Sequence, residues 1–192
     1  SSAKIEINTK LSRAIELTGS STIISGEINI SNAVTGISGN YTLAVKDRLK
    51  ITDCEYGITV GKVNVLENAA CTIINVKTAI TAKTLELSGK LTITDTTGSA
   101  IILSTPAKTL SFTDTSELTI TSTNKVETAA IDMSPFADLL TVNGNIVISN
   151  YTYGFYTKAG GSFNRSENAI FEFNKKYDGF SKVNGFFGFI RA

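Results

Sequence analysis

The feature that most constrains this chain is an internal repeat of about 22 residues running almost its whole length. Two apolar residues spaced two apart are followed by a short loop, then by Gly or Ala and one more apolar residue. The unit reads Ile5/Ile7 with Ala14-Ile15, Ile28/Ile30 with Gly36-Ile37, Leu49/Ile51 with Gly57-Ile58, and Cys71/Ile73 with Ala79-Ile80. It continues as Leu91/Ile93 with Ala100-Ile101, Leu118/Ile120 with Ala130-Ile131, Ile146/Ile148 with Gly154-Phe155, and Phe171/Phe173 with Gly179-Phe180. The anchors fall at 15, 37, 58, 80, 101, 131, 155 and 180, at intervals of 22, 21, 22, 21, 30, 24 and 25. A fixed period of this size marks a repeat architecture.

Each interval carries a third apolar pair: Thr22/Ile24, Leu43/Val45, Val63/Val65, Leu85/Leu87, Leu110/Phe112, Leu140/Val142 and Gly161/Phe163, with Phe187/Phe189 closing the series. Apolar residues two apart lie on one face of a strand. Three short strands per repeat are too few for a propeller blade, and no segment keeps a helical period. The pattern predicts an all-β, single-stranded parallel β-helix of about eight rungs of 21–30 residues, with residues 1–192 forming a single solenoid domain. The parallel-crossover rule favours right-handed winding. Eight rungs at the spacing of paired strands would make a rod of roughly 38 Å.

The punctuation agrees. Ser25-Gly26, Ser88-Gly89 and Asn143-Gly144 each precede a rung's first strand, where Gly is expected to supply the positive φ of a tight corner. Pro106 and Pro135 fall between second and third strands, outside the hydrogen-bonded ladder. A polar column follows the first strand: Thr9, Asn32, Asp53, Asn75, Asp95, Ser122, Asn150 and Lys175. Asn32, Asp53, Asn75, Asp95 and Asn150 are expected to brace the corner as a structural ladder. Calcium binding by Asp53 and Asp95 is disfavoured, because Asn75 separates them and no Gly-Asp repeat is present.

The chemistry available is narrow. The chain contains no His, which removes His catalysis and Cys/His zinc sites, so neither a cofactor nor a metal is expected. Glu6 and Glu172 point outward from the first sheet at opposite ends, and Asp53/Glu55 and Asp114/Glu117 lack a matching basic column. Gly160-Gly161-Ser162 is a turn, with nothing resembling a phosphate loop after it. Cys54 and Cys71 read as buried small hydrophobes too far apart for a disulfide. A net charge of +1 argues against nucleic acid as a partner, and no apolar run is long enough to insert in a membrane. The amino end carries no apolar signal segment and reads as a mature or excised piece of a larger chain.

Two surface patterns remain. Thr72, Thr92 and Thr119 form one outward column of the first sheet, beside Thr52, Thr94 and Thr121. A flat Thr array suits ice, but Val147 and Ile74 interrupt it and the longer rung at 101–131 is expected to disturb its flatness. The plainer reading is a polar β-branched cover for an exposed sheet. Tyr56, Tyr151, Tyr153 and Tyr177 share the loop after the first strand, with Tyr156 outward just beyond. A row of aromatic faces could stack on sugar rings or fill a protein interface; corner packing is the plainer alternative. All 10 Phe lie beyond residue 111, and Phe186, Phe187 and Phe189 could cap that end. An uncapped end would invite end-to-end self-association.

The stretch from Leu140 through Asn143-Gly144 to Asn150, followed by Tyr153-Gly154-Phe155 and Gly160-Gly161-Ser162-Phe163, resembles the pectate-lyase-like adhesive domains of Gram-positive bacterial surface proteins. Leu85-Glu86-Leu87-Ser88-Gly89-Lys90-Leu91-Thr92-Ile93 repeats the theme. The resemblance spans residues 15–180 and implies a right-handed β-helix on an exported protein, with attachment at the cell surface as its role. It supplies no catalytic residues. The chain lacks the His, the clustered Asp and the paired Arg/Lys of true pectate lyases and polygalacturonases. The expectation is a non-catalytic extracellular adhesion or stalk module, not an enzyme, meeting glycan or a host or cell-surface protein. The alternatives are a polysaccharide lyase or hydrolase and a fibre or tail-spike module.

Overall fold

The computed structural model of the protein describes residues 3–104, 109–133, 140–156, 163–165 and 170–174. Every regular element among them is a β-strand, and every third strand joins the same sheet. The first sheet has eight strands, from Lys4–Asn8 to Phe171–Asn174. The second has seven, from Arg13–Leu17 to Tyr151–Tyr156, and the third seven, from Ser21–Ile24 to Phe163–Arg165. All pairings are parallel. The chain is therefore the three-sided β-solenoid that its repeat predicts. It winds fewer turns than the eight expected: the described strands make seven three-strand rungs, and the eighth contributes only Phe171–Asn174. Seven rungs span roughly 34 Å at the strand spacing.

Alternation explains why these segments are strands and why they stack. In the first sheet Ile5, Ile28, Leu49, Cys71, Leu91, Leu118, Ile146 and Phe171 pair in one unbroken column. Ile7, Ile30, Ile51, Ile73, Ile93, Ile120, Ile148 and Phe173 form the next. The second sheet aligns Ile15, Ile37, Ile58, Ile80, Ile101, Ile131 and Phe155. From Ile30 to Ile148 these side chains are buried in one continuous core. Each fully buried Ile or Leu contributes about 1.5–3 kcal/mol relative to exposure. Side chains of one type in parallel register leave little free volume between rungs.

Two expectations are corrected. Only Gly26 of the pre-strand glycines has positive φ. Gly89 and Gly144 are required by close approach instead: a Cβ would lie 2.5 Å from the Ala69 and Ser116 carbonyl oxygens respectively. Positive φ belongs to the Asn/Asp column, at 64° for Asn32, 55° for Asp53, 54° for Asn75, 56° for Asp95 and 65° for Asn150. These are the non-Gly residues that enter the left-handed region most readily, because their short polar side chains bond locally. In the seventh rung Leu140 pairs with Phe163 and Val142 with Arg165, so Phe163 is in register with the first member of the preceding pair, not the second as Gly161/Phe163 requires.

The long interval from 101 to 131 leaves the first sheet in register. Its extra residues fall mainly in the connections between the strands Ile101–Leu103, Thr109–Phe112 and Glu117–Thr121, and a register shift in the second sheet between Val126 and Ala129 takes up one more. At the amino-terminal end, Lys4–Asn8, Arg13–Leu17 and Ser21–Ile24 each form a sheet edge. Ile5 belongs to a core column yet is 49% exposed there. Pro106, Pro135, Gly160-Gly161-Ser162, Lys175, Gly179-Phe180, Phe186, Phe187 and Phe189 lie outside the described residues.

Candidate functional site

The tyrosines lie on strands of the second sheet rather than in loops, and they do not form one row. Tyr56 opens the strand Tyr56–Thr59, half-buried, with Lys77 Nζ 5.7 Å from its ring centroid. Tyr151, Tyr153 and Tyr156 share a strand four rungs further on, roughly 19 Å away at the strand spacing. Tyr153 and Tyr156 are half-buried, their ring centroids 6.3 Å apart and tilted by 38°. They make a two-ring patch. Tyr177 lies outside the described residues.

Tyr151 is only 2% exposed, so its ring offers nothing to a ligand. It fills the core just after the Asn150 corner. Thr96 Oγ1 donates to the Gly98 carbonyl at 2.7 Å, so the Tyr151 hydroxyl, 2.5 Å away, donates to Thr96 Oγ1. The chain Tyr151–Thr96–Gly98 satisfies a phenol that burial would otherwise penalise. Burial pushes the Tyr151 phenol up to about 12, helped by the Asp95 carboxylate and opposed by the Thr96 bond. One signal in the sequence identifies this position. Ala33, Cys54, Val76 and Thr96 each follow a left-handed Asn or Asp, and all are buried. Tyr151 stands in the same place.

The corner ladder is joined side chain to side chain in part. Asn75 Nδ2 donates to Asp53 Oδ1 at 2.6 Å, and Asn150 Nδ2 to the Ser122 carbonyl at 2.5 Å. Asp95 Oδ1 accepts from the Thr123 amide at 2.7 Å. In the first rung Asn8, not Thr9, takes the bond from Asn32 Nδ2, at 3.0 Å. The Asp53 and Asp95 carboxylates, for which calcium binding is the disfavoured alternative, are engaged in bracing the corner. Among the described residues no group of three or more His, Cys, Asp or Glu is placed to hold a metal ion.

Sequence reasoning missed one acidic pair. Glu6 and Glu27 lie on adjacent rungs of the first sheet, bridged by Asn29 Nδ2 at 2.8 and 3.1 Å and by Lys4 Nζ at 3.0 and 3.5 Å. The Asn29 bond, then Lys4, holds the Glu6 carboxyl below its ordinary range. A glycosidase pair needs one carboxyl raised to act as acid; this environment acts in the opposite sense on Glu6. Further cross-rung pairs are Lys62–Glu86 at 2.7 Å on the third sheet and Lys90–Glu117 at 3.0 Å on the first, whose exposure makes each worth under about 1 kcal/mol. Cys54 and Cys71 are buried free thiols, and burial drives Cys71 up to about 12. A protonated, enclosed thiol is a poor nucleophile.

No protein family, curated protein or solved structure matches the chain.

Proposed function

We propose that the chain is a non-catalytic extracellular rod, an adhesion or stalk module of a bacterial surface protein resembling the pectate-lyase-like adhesive domains. One observation carries this reading. The three inward columns are filled without interruption from Ile30 to Ile148, while several charged groups outside pair across rungs, as in Lys62–Glu86 and Lys90–Glu117. Such a body transmits position along its axis, and the activated acids, bases or nucleophiles that turnover requires are missing from its described surface. The Tyr153/Tyr156 pair is the face assigned to glycan or host protein, since half-buried aromatic rings stack on sugars and anchor interfaces.

A glycan array probed with wild type and Tyr153→Ala tests the binding part: wild type binds, and the variant loses that signal. No wild-type binding removes the glycan and leaves the stalk. Incubation with acidic polysaccharides, with and without calcium, tests the non-catalytic part. Release of unsaturated products would replace this reading with a lyase.

A further inference from the structure

We infer that the outer face of the first sheet, over its fourth to seventh rungs, binds ice. The strands Ala70–Val76, Lys90–Thr96, Glu117–Thr121 and Asn145–Ser149 pair residue for residue without a shift. Thr72, Thr92 and Thr119 therefore stand in one column, and Thr94 and Thr121 in the column beside it. Along the axis the spacing is about 4.8 Å, and along each strand, two residues on, about 6.7 Å. Both repeats are of the order of the lattice repeats of ice, so a rigid grid of this kind can hold water in places a crystal shares.

Three further observations favour a crystalline ligand over a merely wetted sheet. None of the five Thr hydroxyls is engaged with a protein group, so each is free to bind water, and all five are half-exposed. Ile74 and Val147, which interrupt the Thr pattern, are β-branched like Thr; they give up a hydroxyl but keep the side chain's shape, so the plane continues. The patch is also bounded. In the first column Lys50 precedes Thr72 and Glu172 follows Val147, whereas the two columns between those limits carry no charge. Ion pairs orient water around themselves, and the one on these strands, Lys90–Glu117, stands at the strand starts, so it borders the Thr columns on one side without interrupting them. The long interval expected to warp this face leaves its strands in register.

The inference is independent of the adhesion reading. Its test uses the full chain and growing polycrystalline ice. Wild type is expected to be captured in the ice fraction and to stop fine-grained ice from recrystallising. Thr92→Lys and Thr94→Lys, at the centre of the grid, should lose both effects. Thr59→Lys, exposed on the second sheet, should retain them, with circular dichroism confirming that each variant is folded. Exclusion of folded wild type from ice, or equal capture of the folded Thr92→Lys protein, would overturn the inference.

Discussion

Asn75 shows what one residue does in this fold. Its φ of 54° turns the chain from the first sheet toward the second, and its amide reaches Asp53 on the rung before. An Ala there would keep the left-handed strain without local bonding, so Asn75→Ala should lower stability by about 1–2 kcal/mol. Asn75→Gly should lose less, because Gly adopts that region freely. Urea unfolding midpoints of the two variants would show the order, and equal losses would locate the effect in the hydrogen bond alone. Buried Tyr151 and Cys71 predict an alkaline limb. Both have folded pKa values near 12, above the ordinary 10.0 and 9.0, so the folded state keeps protons that the unfolded state releases. Stability from these groups is complete below about pH 9 and falls as pH rises toward 12, with a slope of up to about 1.4 kcal/mol per pH unit for each. Tyr151→Phe and Cys71→Val should flatten that limb in pH-dependent unfolding. The position of Tyr151 was legible in principle, since it follows Asn150 as Cys54 follows Asp53. Its aromatic character drew attention to the surface instead.

At the scale of the strand, register decides energetics. Ile73 is fully buried between Ile51 and Ile93, whereas Ile23 points outward at the amino-terminal edge and is 62% exposed. Ile73→Ala should cost about 2–5 kcal/mol through lost burial and the cavity left behind. Ile23→Ala should fall within about 0.5 kcal/mol of wild type. Thermal melts of both variants would check the contrast, and similar losses would contradict the inward columns. The columns could be read from sequence because alternation and a constant period are one-dimensional signals. What could not be read was where irregular lengths would be accommodated. A Gly-Gly-Ser turn suggested Gly161/Phe163 as a pair, yet pairing with Leu140 selects Phe163 as the first member. Similarly, the role of Gly89 depends on carbonyls of a neighbouring turn, and the Glu6–Asn29–Glu27 bridge on bringing Glu6 to an Asn 23 positions further along the chain. Such proximity exists only once rungs are stacked.

The whole molecule behaves as a one-dimensional array. Each rung touches chiefly the rungs before and after it, so stability is approximately a sum of rung and interface contributions. The first rung has one neighbour and a partly exposed core column, whereas rungs three to five are enclosed on both sides. Hydrogen exchange should accordingly be fastest at Lys4–Asn8 and Ser21–Ile24 and slowest around Leu49–Leu87. Uniform protection across these segments would mean that the rungs unfold as a single block. Constancy of register also gives the polypeptide a discrete gauge. Leu49 and Cys71 hold equivalent stations on successive turns, so excising residues 50–71 would rejoin two matching ends and leave every downstream partner facing an equivalent one. Lineages carrying such a chain can lengthen or trim it by whole coils, each changing its reach by about 4.8 Å, without redesigning a single junction.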